Sequence, residues 1–192
     1  MARPKEFDRT KALDKAMNLF WQQGYEATSM QDLCDHMGIN RGSLYDTFGS
    51  KHSLFLESIQ RYKDLNMSPI DIDDETFSGI TAIHTMFSDI VDASVMDSSR
   101  SGCLIANTTA ELASTDTEIA AMCTDNRLGY EGMFHRLLAH AEQAGELSSG
   151  RDLTQLARFL VNAVYGLRIT AKTTNDREIL EDIVNVSLSI LG

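Results

Sequence analysis

Arg41, Gly42 and Ser43 stand together at the start of a short amphipathic segment, and their types suit contact with a polyanion. An arginine there offers a bidentate fork to guanine or a charge to phosphate, and a serine adds a small hydroxyl. Asn40, just before them, is of a type that caps helices, so the three occupy a helix N-terminus. Free N–H groups and the positive end of the helix dipole favour an anion at that end. Gly42 costs the helix about 1 kcal/mol relative to Ala, a loss tolerable where backbone must approach phosphate or a base edge closely. Lys51 falls in the first turn of the next helix, badly placed for the macrodipole but well placed to hold a phosphate. Tyr45 follows apolar Leu44 by one step; it either donates its hydroxyl to phosphate from the rim or belongs to the core. Asp46 either accepts from cytosine or joins the helix's own polar network. Arg3, Lys5 and Lys11 form either a basic arm or a solvated tail.

Other reactive side chains point less sharply. Cys34, Cys103 and Cys123 make an odd count with no C-x-x-C pair, which argues against a disulfide framework and a structural zinc site. Within Ser101-Gly102-Cys103-Leu104, Cys103 opens a helix whose dipole can lower its thiol pKa, so it is either a sensing thiol or a small buried residue. The five histidines, His36, His52, His84, His135 and His140, form no i, i+4 pair and have no cysteine at ligand spacing. Neither a metal nor a cofactor is implied. A thiol-dependent enzyme built on Cys103 would need a base and an oxyanion site, and no histidine lies within several turns of it in sequence.

The elements that must hold these residues read as helices throughout. Only Pro4 and Pro69 interrupt the chain, both outside the apolar periodicity. Leu13, Ala16, Met17 and Phe20 share a face up to a stop at Gly24. Thr28 or Ser29 caps a short helix carrying Met30, Leu33, Cys34 and Met37, which ends at Gly38. Asn40 caps a third helix with Leu44 and Phe48 inward, stopped at Gly49, and Ser50 caps a fourth with Leu54, Phe55 and Ile59. Residues 66–76, with Pro69 and an acidic cluster, are the linker candidate. Beyond it the spacing predicts a helix through Ile80, Ile83, Phe87, Ile90 and Val91, a loop at 98–102, a short helix from about Cys103 to Leu112, and a long one opened by Asp116 or Thr117 and reaching Gly145. Two further apolar helices span roughly 152–172 and 176–191. The fold class is therefore all-α.

Charge divides along the same line. Residues 1–63 hold nine Lys/Arg against eight Asp/Glu, net +1, whereas 64–192 hold eight against twenty, net −12. An acidic body repels a polyanion and presents the N-terminal third to it, although solubility alone accounts for such asymmetry equally well. With no apolar signal core or long apolar run, a cytoplasmic protein is expected.

Three short helices with glycine turns, the second and third separated by Gly38-Ile39-Asn40, fit a helix-turn-helix whose third helix enters the major groove. Thr28-Ser29-Met30, Leu33, the run Met37 to Lys51 and Leu54-Phe55 resemble the DNA-binding signature of TetR-type (TetR/AcrR) transcriptional regulators. The resemblance is dense over about residues 7–60; the rest is similar only in helix count, length and acidity. It implies a helix-turn-helix DNA-binding domain at 1–50 and a helical effector-binding and dimerisation domain at 51–192, with a linker helix at 51–65. It implies a ligand-responsive repressor acting as a homodimer on a palindromic operator in double-stranded DNA, released by an unidentified small-molecule or thiol-reactive signal.

The DNA-contact set expected on these grounds is Thr28, Ser29, Asn40, Arg41, Gly42, Ser43, Tyr45, Thr47 and Lys51. For effector sensing the candidates are Cys103, Phe87, Ile90, Met122, Asn126, Tyr130, Phe134, Tyr165 and Arg168, apolar walls with few polar groups, although methionines and aromatic residues at helical spacing are more often plain core. For the dimer seam they are Leu156, Leu160, Val164, Ile179, Ile183, Val186 and Ile190, paired with the same helices of a second copy as a four-helix bundle, the alternative being ordinary intrachain core, which some of them must be. A thiol-dependent helical enzyme and an acidic protein-binding adaptor are the alternatives.

Overall fold

All but one of the described α-helices begin where a short polar side chain accepts a backbone N–H that has no partner within the helix. The computed structural model describes residues 7–66 and 77–192, and among the described residues it holds nine α-helices and no strand. The first four are α1 (Arg9–Gln23), α2 (Met30–Met37), α3 (Arg41–Phe48) and α4 (Lys51–Asn66). Then come α5 (Gly79–Met96), α6 (Leu104–Leu112), α7 (Thr117–Gln143), α8 (Leu153–Thr170) and α9 (Arg177–Leu188), which tightens into a 3-10 turn at Ser189–Leu191. Ser29 caps α2 reciprocally: its hydroxyl accepts the Asp32 N–H at 3.1 Å, and its own N–H donates to Asp32 Oδ2 at 2.9 Å. The helix stops at Gly38, whose φ of 74° and ψ of 31° are the left-handed conformation that a Cβ disfavours. α6 starts one residue later than expected, because Cys103 is its N-cap and makes no side-chain capping bond. The predicted linker lies outside the described residues except for Asn66, the last residue of α4, and so do Arg3 and Lys5.

Two apolar cores follow from these elements. The first joins Leu13 and Phe20 of α1, Leu33 of α2, Leu44 of α3 and Phe55 of α4 to Leu104 and Leu112 of α6 and Ile119 of α7. Phe20 and Phe55 meet edge to face with ring centres 4.8 Å apart. The N-terminal helices thus share a core with the body. On the polar side, Arg61 of α4 donates to Asp14 of α1 at 2.8 Å. The second core packs Phe87 of α5 and Phe134 of α7 against Leu160, Val161 and Leu167 of α8 and Leu180 and Leu188 of α9.

That second core corrects part of the expected seam. Leu160 is fully buried within the chain and Val164 nearly so, which turns both inward rather than onto an outward apolar face. Leu156 is half-buried and packs on the second core. The exposed apolar residues of α8 are instead Phe159 and Ile169, on one face with Asn162 and Gly166. On α9 the expected stripe does face outward: Ile179 and Val186 are exposed, Val186 by 73%, with half-buried Ile183 and Ile190 beside them.

Candidate nucleic-acid interface and body cavity

Leu44 and Phe48, one helical turn apart, anchor α3 in the first core and thereby turn Arg41, Gly42, Tyr45 and Asp46 to the surface. Asn40 holds the helix start by accepting the Ser43 N–H at 2.8 Å, which leaves the N–H groups of Arg41 and Gly42 at the free end. A Cβ on Gly42 would sit 3.3 Å from Asn40 Oδ1, so the glycine also keeps the capping oxygen uncrowded. The Arg41 guanidinium lies 5.7 Å from the centre of the Tyr45 ring and points a nitrogen at its hydroxyl, 3.4 Å away. Tyr45 is exposed, whereas Ser43 and Thr47 are half-buried on the flank of the helix.

The other expected contacts divide. Ser29 is exposed, but Thr28 is fully buried, its hydroxyl donating to the Gly24 carbonyl at 2.6 Å. Thr28 is therefore a packing residue of the turn, not a member of the exposed face. Lys51 is half-buried with its ammonium 4.2 Å above the Tyr25 ring centre, a cation–π contact that positions it at the edge of the head.

Four hydrogen bonds that sequence spacing does not reveal tie the head and the first turn of α4 to α6 and the start of α7. The Glu111 carboxylate on α6 accepts the backbone N–H groups of Tyr25 at 3.0 Å and Glu26 at 2.8 Å, in the turn after α1. Trp21 Nε1 donates to the Gly102 carbonyl at 3.2 Å, beside the N-cap of α6. His52 of α4 meets Asp116, the N-cap of α7, at 2.9 Å. The Ile119 backbone N–H, with His52 and the Glu118 N–H, holds the Asp116 carboxyl below its ordinary range against a smaller effect of burial.

Between α4, α6, α7 and α8 lies a cleft of about 420 Å3, its mouth included. Ile105, Val161 and Val164 make its apolar wall, and Tyr62, Lys63 and Asn66 bring the end of α4 to it. Of the expected sensing residues, Cys103, Asn126, Tyr130, Tyr165 and Arg168 line it. Phe87, Ile90 and Phe134 do not: they fill the second core, and Met122 packs against the first. Asn126, almost wholly buried, donates to the Tyr165 hydroxyl at 3.1 Å. Burial pushes the Tyr62, Tyr130 and Tyr165 hydroxyls up; at Tyr62 the Cys103 thiol adds to this and Arg168 opposes it. Tyr62 and Asn66, four apart at the end of α4, were the available sequence signal for the missed wall, but only packing shows what they face.

A capped helix with an outward polar N-terminus, set on a three-helix head that is joined to a cavity-bearing helical body, defines a helix-turn-helix DNA-binding regulator. The family model for bacterial regulatory proteins of the tetR family matches residues 12–58, and that for the tetracyclin repressor-like C-terminal domain matches residues 79–186. The HTH-type transcriptional regulator YezE of Bacillus subtilis (strain 168), itself uncharacterised, is 37% identical over 193 residues, covering 100% of both chains. The HTH-type transcriptional repressor ComR of Escherichia coli (strain K12) is 33% identical over 190 residues, covering 98% of this chain and 90% of that one. Among solved structures, a cysteine-substituted form of the TetR family regulator CifR, complexed with 26bp double-strand operator DNA, superposes with a TM-score of 0.84 at 27% identity over 100% of both chains. The chain belongs to the TetR family of transcriptional regulators, and DNA binding is its function. No helix among the described residues is long and apolar enough to cross a membrane.

Proposed function

We propose that the chain is a homodimeric repressor of a palindromic operator, released when an effector enters the cleft between α4, α6, α7 and α8. Residues 7–50 read DNA, with Arg41, Ser43 and Tyr45 on the reading face. Phe159, Ile169, Ile179 and Val186 pair two copies, because an apolar face of that kind is unfavourable in water. The observation that carries the release mechanism is the placement of Cys103. It lines the cleft beside Tyr62, while the adjoining Gly102 carbonyl holds Trp21 of α1. A ligand that displaces this wall therefore pushes both α4 and α1. Two recognition helices must match half-sites about 34–36 Å apart, so a tilt of the heads loses one of them. Filling the cleft with a side chain tests this. Val164→Phe is expected to weaken operator binding as an effector would, while the dimer and helix content persist. A folded dimeric variant with wild-type operator affinity refutes the coupling.

A further inference from the structure

We infer that the ligand of the body cleft is a small organic acid whose carboxylate lies between Arg168 and Lys63, its slender apolar body resting against Ile105, Val161 and Val164. The inference rests on the effector role proposed above and names the effector's chemical class. Charge carries it. Residues 64–192 hold twenty Asp and Glu against eight Lys and Arg, yet among the described residues the cleft is lined by two cations and no carboxylate. Among the described residues neither Arg168 nor Lys63 takes part in an ion pair, although six other lysines and arginines do. Arg168 and Lys63 are both half-buried, and a partly desolvated cation gains when a ligand supplies the anion.

The neighbours agree with this charge. Arg168 acts on the hydroxyls of both Tyr62 and Tyr130, opposing the effect of their burial, so its charge is felt inside the cleft. Asn126 Nδ2 occupies the Tyr165 oxygen at 3.1 Å and leaves that hydroxyl's own hydrogen to donate to an anion. Among the described residues a cationic ligand would meet two positive charges and no carboxylate. The arginine fork matches the two oxygens of one carboxylate. The cleft is narrow, its volume of about 420 Å3 counting the open mouth, and this favours a slender ligand with a short chain or one ring.

The test is titration calorimetry of the whole protein with hexanoate, octanoate and benzoate, each beside its amide. The acids should bind saturably and about tenfold or more tightly than the amides. Arg168→Gln should abolish that preference, Arg168→Lys should restore part of it, and Lys63→Gln should reduce it. Equal binding of acid and amide overturns the inference, as does the absence of saturable binding by any acid at millimolar concentration. A folded Arg168→Gln with its preference intact overturns it as well, and if that variant does not fold, an unaltered preference in Lys63→Gln does so. Operator affinity measured with the same ligands separates the two readings. Acid binding that leaves DNA bound upholds the anion site and refutes the effector role; release by the amide alone does the reverse.

Discussion

Arg41→Ala is the substitution that most directly tests the reading face. In the free protein its guanidinium rests on the exposed Tyr45 ring, a contact worth about 0.5–1 kcal/mol that must be given up when the side chain turns to DNA. A base or phosphate contact by arginine is worth about 1–3 kcal/mol, so the net loss on truncation is about 0.5–2 kcal/mol per subunit. Both subunits of the proposed dimer lose it, which gives about 1–4 kcal/mol, or roughly a 5- to 700-fold weaker complex. Fluorescence anisotropy with a labelled operator, recovered by sequencing fragments that the purified protein retains, measures this beside an unrelated duplex over a range of salt. If Arg41 reads a base, only the operator complex weakens to this extent; if it holds a phosphate, both weaken and the salt slope falls by about one per subunit. Lys51→Ala is the control and should weaken both duplexes alike. Unchanged affinity of Arg41→Ala for both would refute the assignment of the α3 N-terminus as the reading face.

Val186→Glu should convert the dimer to monomer at micromolar concentration in sedimentation, since it places a charge on the most exposed member of the α9 stripe; a dimer that survives moves the seam elsewhere. Asp116, whose carboxyl lies below its ordinary value of 3.8, stabilises the fold above that pH and ceases to do so as pH falls through its lower folded value. Asp116→Ala should therefore melt below wild type at pH 7, with the gap closing below about pH 4, and a gap that persists in acid would remove the pairing from the account. Among the thiols, Cys103 is half-buried while Cys34 and Cys123 are buried, and burial pushes the Cys123 thiol up. Mass spectrometry should show Cys103 alkylated first, with operator affinity falling as it reacts; earlier labelling of either other thiol excludes this.

The element boundaries and the reading helix were visible in the sequence because the forces that set them are local. Ser29 finds Asp32 three residues away, Asn40 caps Ser43 at the same distance, and Gly38 stops α2 through its own backbone angle. Leu44 and Phe48, one turn apart, likewise fix which side of α3 faces out. Helix α8 shows where such locality ends. Its apolar residues exceed one face: Leu160 and Leu167 enter the second core, Val161 and Val164 also wall the cleft, and Phe159 and Ile169 stay at the surface. Periodicity gives the angle between those residues but not the rotation of the helix against its neighbours, so Leu160 and Val164 were placed on the wrong side and Phe159 went unnoticed. Thr28 is similar, since the hydroxyl that suits a cap is drawn to the Gly24 carbonyl once the turn packs. The joints between head and body lay furthest from view: Trp21 meets Gly102 across 81 positions and Tyr25 meets Glu111 across 86. The types of those residues announce only that they can donate or accept. Which partner each one finds depends on the docking of α1 against α6 through the shared core, a choice made by the shapes of the apolar side chains packed between them.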